Sequence, residues 1–221
     1  MGGLIMKNLF CLIAVLTPAL VCAEPSSKLA WTAEQLSLVE SGNPQKGREL
    51  AQACAACHGE QGISAVPTYP SLAGQLPTYL FKQLQDYRDG SRQNPLMNGI
   101  AKGLTPQDAA DVAAWFSTRP AAILSANAKG AYPTAENLVK RGDKQRLLPP
   151  CEVCHGTDGK GQAQDVPALS GQSGDYLAAS LRAFKSGERH NDIYARMRIL
   201  AETLSDPEIE ALGLYYQNSQ Q

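Results

Sequence analysis

The chain has 221 residues, room for two small domains with modest cores, and a formal net charge of −1 with no extended basic stripe, which argues against nucleic-acid binding. Aromatic residues make up 6% of it, thin filling for two purely protein cores.

Lys7 precedes an apolar run from Leu9 to Val21, broken by Pro18. The run is too short and too poorly flanked for a membrane span and reads as a secretory signal over residues 1–23. Val21-Cys22-Ala23 offers a small-residue cleavage site, leaving Glu24 as the new N-terminus in the periplasm. Met6-Lys7-Asn8 is a better start than Met1. The rival reading is lipidation at Cys22, which bulky Val21 fits poorly; peripheral membrane association stays open. Cleavage removes Cys11 and Cys22 and leaves four of the six cysteines. All four fall in two short motifs, so no structural disulfide remains to be built.

Residues 24–41 read as an N-terminal extension in which Thr32-Ala33-Glu34-Gln35 opens a short helix. The first domain, 42–119, starts at Asn43-Pro44, an N-cap followed by a first-turn proline, opening a helix toward Cys54. A second helix runs from Pro77 to Asp89 and stops at Gly90. Thr105-Pro106-Gln107-Asp108 is a capping box for a last helix that lines up Val112, Trp115 and Phe116. Residues 120–135, alanine-rich and holding Pro120, Gly130 and Pro133, read as a linker.

The second domain, 136–221, repeats the first. Pro70-Ser71-Leu72-Ala73-Gly74-Gln75 aligns with Pro167-Ala168-Leu169-Ser170-Gly171-Gln172, and Tyr79-Leu80 with Tyr176-Leu177, at an offset of 97. From Met97 and Met197 onward the offset is 100, which places a three-residue insertion before Met197. The second helix ends at Gly187, and Ser205-Asp206-Pro207-Glu208 opens a last helix carrying Ile209, Leu212 and Tyr216. No alternating strand is visible, so the fold class is all-α.

Each half carries Cys-x-x-Cys-His: Cys54-Ala55-Ala56-Cys57-His58 and Cys151-Glu152-Val153-Cys154-His155. The pattern reads as covalent attachment of haem c, two copies in all. Two thiols one helical turn apart add across the two vinyl groups, and the adjacent histidine lies under the ring, where it ligates iron. The porphyrins would also supply the missing apolar bulk. For the sixth position, the mature chain has two methionines, Met97 and Met197, one per repeat at equivalent sites. His/Met pairs are an established haem ligation. His190 is the one other histidine; it lies in a charged stretch opposite Gln93 in the repeat and reads as a surface residue. Pro70 and Pro167 each follow their histidine by 12 residues, and their carbonyls are candidates to accept the imidazole Nδ1–H. A four-cysteine zinc site would leave both histidines and both methionines unexplained, and no βαβ pattern supports a thioredoxin-like pair.

On these residues the chain resembles the dihaem cytochrome c4 family, two tandem class I cytochrome c domains. The likeness rests on Cys-x-x-Cys-His, Pro-x-Leu-x-Gly, Asn94-Pro95-Leu96-Met97, Asn191-Asp192-Ile193-Tyr194 and Met197-Arg198, and covers about Gly42 to Tyr216. Departures lie in the extension, in stiff Leu147-Leu148-Pro149-Pro150 and at Arg196. The resemblance implies two domains packed about a pseudo-twofold axis with haem propionates near the interface. It also implies periplasmic electron transfer, with a terminal oxidase or a quinol-oxidising complex as redox partner. One rival is an electron-accepting subunit of a dehydrogenase or flavocytochrome. Another is a dihaem peroxidase, for which too few histidines remain to supply a distal base.

Overall fold

A computed structural model describes residues 27, 29, 31–122, 132–162 and 164–219. The signal segment, Cys22, the cleavage site and most of the linker lie outside the described residues. Among the described residues the regular elements are helices, with only two isolated antiparallel bridges, Asp143 with Leu148 and Gln162 with Val166. No helix among them is long and apolar enough to cross a membrane.

In the first half, α1 (Ala33–Glu40) opens on a complete Thr32/Gln35 capping box. Asn43 caps α2 (Pro44–Leu50), its side chain accepting from the Gln45 and Lys46 amides. A 3₁₀ turn, Ala51–Cys54, runs into the short α3 (Ala55–His58). Helix α4 (Pro77–Asp89) stops where Gly90 turns left-handed at φ 83°, a conformation glycine adopts without steric cost. Then come α5 (Pro95–Lys102) and α6 (Pro106–Ser117), the latter behind the Thr105/Asp108 capping box.

Helices α2 and α6 cross closely because Gly47 has no side chain. A Cβ there would lie 1.9 Å from the Asp111 carbonyl oxygen and 2.9 Å from Trp115 Cβ. The buried Asp111 carboxylate also accepts the Asn43 amide at 2.7 Å, fixing the start of α2. Gly47→Ala should therefore destabilise the first half by at least about 1–3 kcal/mol, the usual cost of overpacking, since backbone must shift to make room. Thermal unfolding of the purified holoprotein checks this, and an unchanged midpoint would contradict it. The first core joins Val39, Leu80, Phe81, Val112, Trp115 and Phe116, with Trp31 of the extension packed on Phe81.

The second half has α7 (Pro133–Arg141), α8 (Glu152–His155), α9 (Gly174–Lys185), α10 (Arg196–Glu202) and α11 (Asp206–Asn218). Helix α7 begins at Pro133, inside the segment read as linker. Two local features differ from the first half. The chain between α7 and Cys151 makes a 3₁₀ turn ending at left-handed Leu147 (φ 54°). The segment before Met197 turns through Tyr194 (φ 59°) and Ala195 (φ 55°), where the three-residue insertion is absorbed.

The halves pack about a pseudo-twofold relation visible in single hydrogen bonds. Gln75 brackets Ala168, donating to its carbonyl and accepting from its amide, both at 2.9 Å. Gln172 does the same to Ser71, at 2.8 and 2.9 Å. Arg92 donates to Tyr176 Oη at 3.1 Å, and Arg189 to Tyr79 Oη at 3.0 Å. Each pair is related by the repeat offset read from the sequence.

Candidate haem sites

Each Cys-x-x-Cys-His segment ends a short helix with its histidine pointing inward. After His58 the chain turns at Gly59 (φ 79°), and after His155 at Gly156 (φ 83°). The following loop is folded back by one glycine carbonyl. Gly62 O accepts the Leu72 and Ala73 amides at 2.7 and 3.0 Å. Gly159 O accepts those of Leu169 and Ser170 at 2.8 and 3.2 Å. Position 62 needs glycine twice over: its φ is 79°, and a Cβ would meet Phe116 Cδ1 at 2.6 Å.

The folded loop brings the Pro70 carbonyl within 2.8 Å of His58 Nδ1 and the Pro167 carbonyl within 3.0 Å of His155 Nδ1. A carbonyl only accepts, so Nδ1 carries the proton and Nε2 keeps its lone pair for a metal. Burial lowers the pKa of both imidazoles, against a smaller opposing effect of the proline carbonyls. The buried rings therefore favour the neutral form that can ligate.

None of the four motif cysteines is engaged in a disulfide. Burial, then the neighbouring Cys57, pushes Cys54 up, and burial pushes Cys151 up to about 11. Met97 lies in the first turn of α5, its amide bonded to Asn94 Oδ1 at 3.0 Å, and Met197 in the first turn of α10. Both side chains are half-buried. Helix α5 packs on α4, and α10 on α9. The donor set suits haem c: paired cysteines outside any disulfide, an oriented neutral imidazole and a soft thioether in each half. Among the described residues no group of three or more His, Cys, Asp or Glu side chains gathers as a metal site, so the zinc alternative has no geometric support.

His190 departs from the surface reading. It is half-buried, with Nδ1 buried and unpartnered among the described residues. Sequence reasoning also missed that Gln75 and Gln172 cross between the halves, and missed a buried cluster of Lys82, Gln83, Asp86 and Asn191. The repeat alignment flagged the two glutamines only as equivalent positions.

Two helical units, each with a Cys-x-x-Cys-His turn and a proline-anchored histidine, define a tandem c-type cytochrome. The cytochrome c family model matches residues 44–119 and 139–218. The chain is 40% identical over 190 residues to cytochrome c4 of Thiocapsa roseopersicina, covering 85% of this chain and 98% of that protein. It is 39% identical over 171 residues to a thiosulfate dehydrogenase electron acceptor of Stutzerimonas stutzeri (strain A1501), covering 76% and 79%. The crystal structure of reduced recombinant cytochrome c4 from Pseudomonas stutzeri superposes with a TM-score of 0.74 at 34% identity, over 81% of this chain and 100% of that one. The chain belongs to the cytochrome c family and, within it, to the dihaem cytochromes c4, electron-transfer proteins with two covalently bound haem c groups.

Proposed function

We propose that this is a periplasmic carrier of single electrons whose irons are ligated by His58 with Met97 and by His155 with Met197. Cys54 and Cys57 hold one porphyrin and Cys151 and Cys154 the other. Pro70 and Pro167 fix the imidazoles. The observation that carries this reading is the pair of histidine–proline bonds, at 2.8 and 3.0 Å, recurring at one offset in both halves. Bound haem supplies the one-electron couple. The histidines and thioethers would ligate the iron in both of its oxidation states, the thioether favouring ferrous iron and so a higher potential. The paired domains hold a fixed distance between the redox centres, so an electron can enter through one half and leave through the other.

We take a terminal oxidase as the acceptor and a quinol-oxidising complex as one donor. The relative named as an electron acceptor of thiosulfate dehydrogenase supports a second donor class, a dehydrogenase of a reduced sulfur compound. Rapid reduction of the oxidised holoprotein by such an enzyme, and reoxidation by oxidase-bearing membranes, tests both ends.

The ligand assignment has its own test. Intact mass should exceed the cleaved polypeptide by two haems, and the ferric protein should show the near-infrared methionine–iron band at two-haem intensity. Met97→His should lower only the first potential, by a substantial part of the roughly 0.8 V that axial ligands command. A mass with one haem, or a Met97→His change that moves neither potential, would overturn the assignment.

A further inference from the structure

We propose that Asn191 is the positioning residue for Met197 and that the first domain holds it in place. Ligation at the second iron then depends on the first domain, while the Met97 segment has no buried asparagine anchored on the second domain. The inference rests on the reading of Met197 as a ligand.

Asn191 precedes Met197 by six residues and is 1% exposed. Its Nδ2 donates to Gln83 Oε1 at 2.9 Å and to Asp86 Oδ2 at 2.7 Å. Its Oδ1 accepts from Arg189 Nε at 3.0 Å, and its backbone carbonyl accepts from Lys82 Nζ at 2.7 Å. Lys82, Gln83 and Asp86 all belong to α4 of the first domain. Lys82 and Asp86 form an ion pair, 1% and 0% exposed, and Ser27 Oγ of the extension donates to the other carboxylate oxygen at 2.6 Å. Every polar group of the Asn191 side chain is satisfied, and a buried polar network in that state fixes one geometry.

The chain downstream needs such an anchor. It turns through left-handed Tyr194 and Ala195, and Tyr194 is 85% exposed, so core packing does not hold it. Asp192 then closes the segment, accepting from Arg198 N at 3.0 Å and Arg198 Nε at 2.8 Å. The segment leading to Met197 is thus held at Asn191 by α4 of the other domain, and at Arg196 by an ion pair to Asp165 of its own half at 2.7 Å.

The first domain has no counterpart. Asn94, next to Met97, caps its own helix, and Asn98 donates to the Tyr87 and Arg92 carbonyls at 2.5 and 3.0 Å, all within the same half. The repeat positions of Lys82, Gln83 and Asp86 are Ala179, Ser180 and Ala183, so α9 cannot build the reciprocal anchor.

The test uses the dihaem holoprotein and two readouts: the near-infrared methionine–iron(III) band, and carbon monoxide bound per reduced chain. Asn191→Ala, and separately Lys82→Ala with Asp86→Ala, which leaves no unpaired charge, should each halve the band and open one carbon monoxide site. Repeated with Met97→Ala, where only the second haem contributes, the same changes should abolish the band. Gln83→Ala, which removes one bond and no charge, should give a partial loss and guards against misfolding in the others. An unchanged band in all three variants, or loss confined to the first haem, overturns the proposal. Met197→Ala separates the two layers: if it leaves the band intact, the ligand reading fails; if it halves the band while the anchor variants do not, only the positioning role fails.

Discussion

Replacing Cys151 and Cys154 together by alanine should leave the second half without a native core while the first half keeps its haem and its packing. The second core joins Ala135, Leu138, Val139, Leu148, Leu177, Ala178, Leu204, Ile209, Leu212 and Tyr216, with one aromatic ring among them. A unit this small buries a modest fraction of its surface, so its stability without the porphyrin is marginal. Val153 and Ile199 are 61% and 59% exposed beside the second attachment site and methionine segment, apolar surface suited to contact a porphyrin. A group bound only by the folded state adds its binding free energy to stability, and covalent tethering keeps it at high local concentration. The first core has Phe81, Trp115 and Phe116 together, with Trp31 added, and retains its own attachment site. The variant should carry one haem by mass. Hydrogen exchange should show protection kept in α2, α4 and α6 and lost in α7, α9 and α11. Native-like protection in α11 without a second haem would contradict the argument.

Helices with cap chemistry were legible from the sequence. Thr32, Asn43, Thr105 and Ser205 all accept the amide bonds that their residue types favour at N-caps, and α4 spans Pro77–Asp89 as its punctuation dictates. Helix α5 is not among the elements read from the sequence, although Asn94-Pro95 carries the signal that Asn43-Pro44 does. Helix α10 has no such signal, since the chain enters it through left-handed Tyr194 and Ala195, for which no side chain there is diagnostic. The twelve-residue step from each histidine to its proline is written in the sequence. The fold-back on Gly62 and Gly159 that converts the step into a hydrogen bond is not. Least legible was the interface. Lys82 and Asp86, four apart on a helix, look like an ordinary solvated pair, and nothing in their spacing points to Asn191, 109 residues from Lys82, which bonds to both in the interior.

Asp86→Ala should accordingly cost about 3–5 kcal/mol, the range for removing one partner of a buried ion pair and stranding the other. The comparison is Glu136→Ala. Glu136 and Lys140 form an ion pair of the same spacing, but both side chains are 53% exposed, so that loss should leave the unfolding midpoint essentially unchanged. The variant's pH dependence identifies the cause. Burial already lowers the Lys82 pKa, against the opposing pull of Asp86. Without that carboxylate the folded state holds the Lys82 proton more weakly still, while the unfolded chain holds it normally. The unfolded state then binds more protons, so stability rises with pH until the unfolded lysine titrates near about 10.4. The Asp86→Ala defect should therefore shrink between neutral pH and about pH 10, relative to the native protein. Adding Lys82→Met, which removes the stranded charge and keeps the aliphatic volume, should recover much of the loss at pH 7 and flatten its pH dependence. Denaturant unfolding followed through both haems measures all three. If the defect stayed constant with pH and Lys82→Met restored nothing, the cost would belong to lost packing and not to the buried charge.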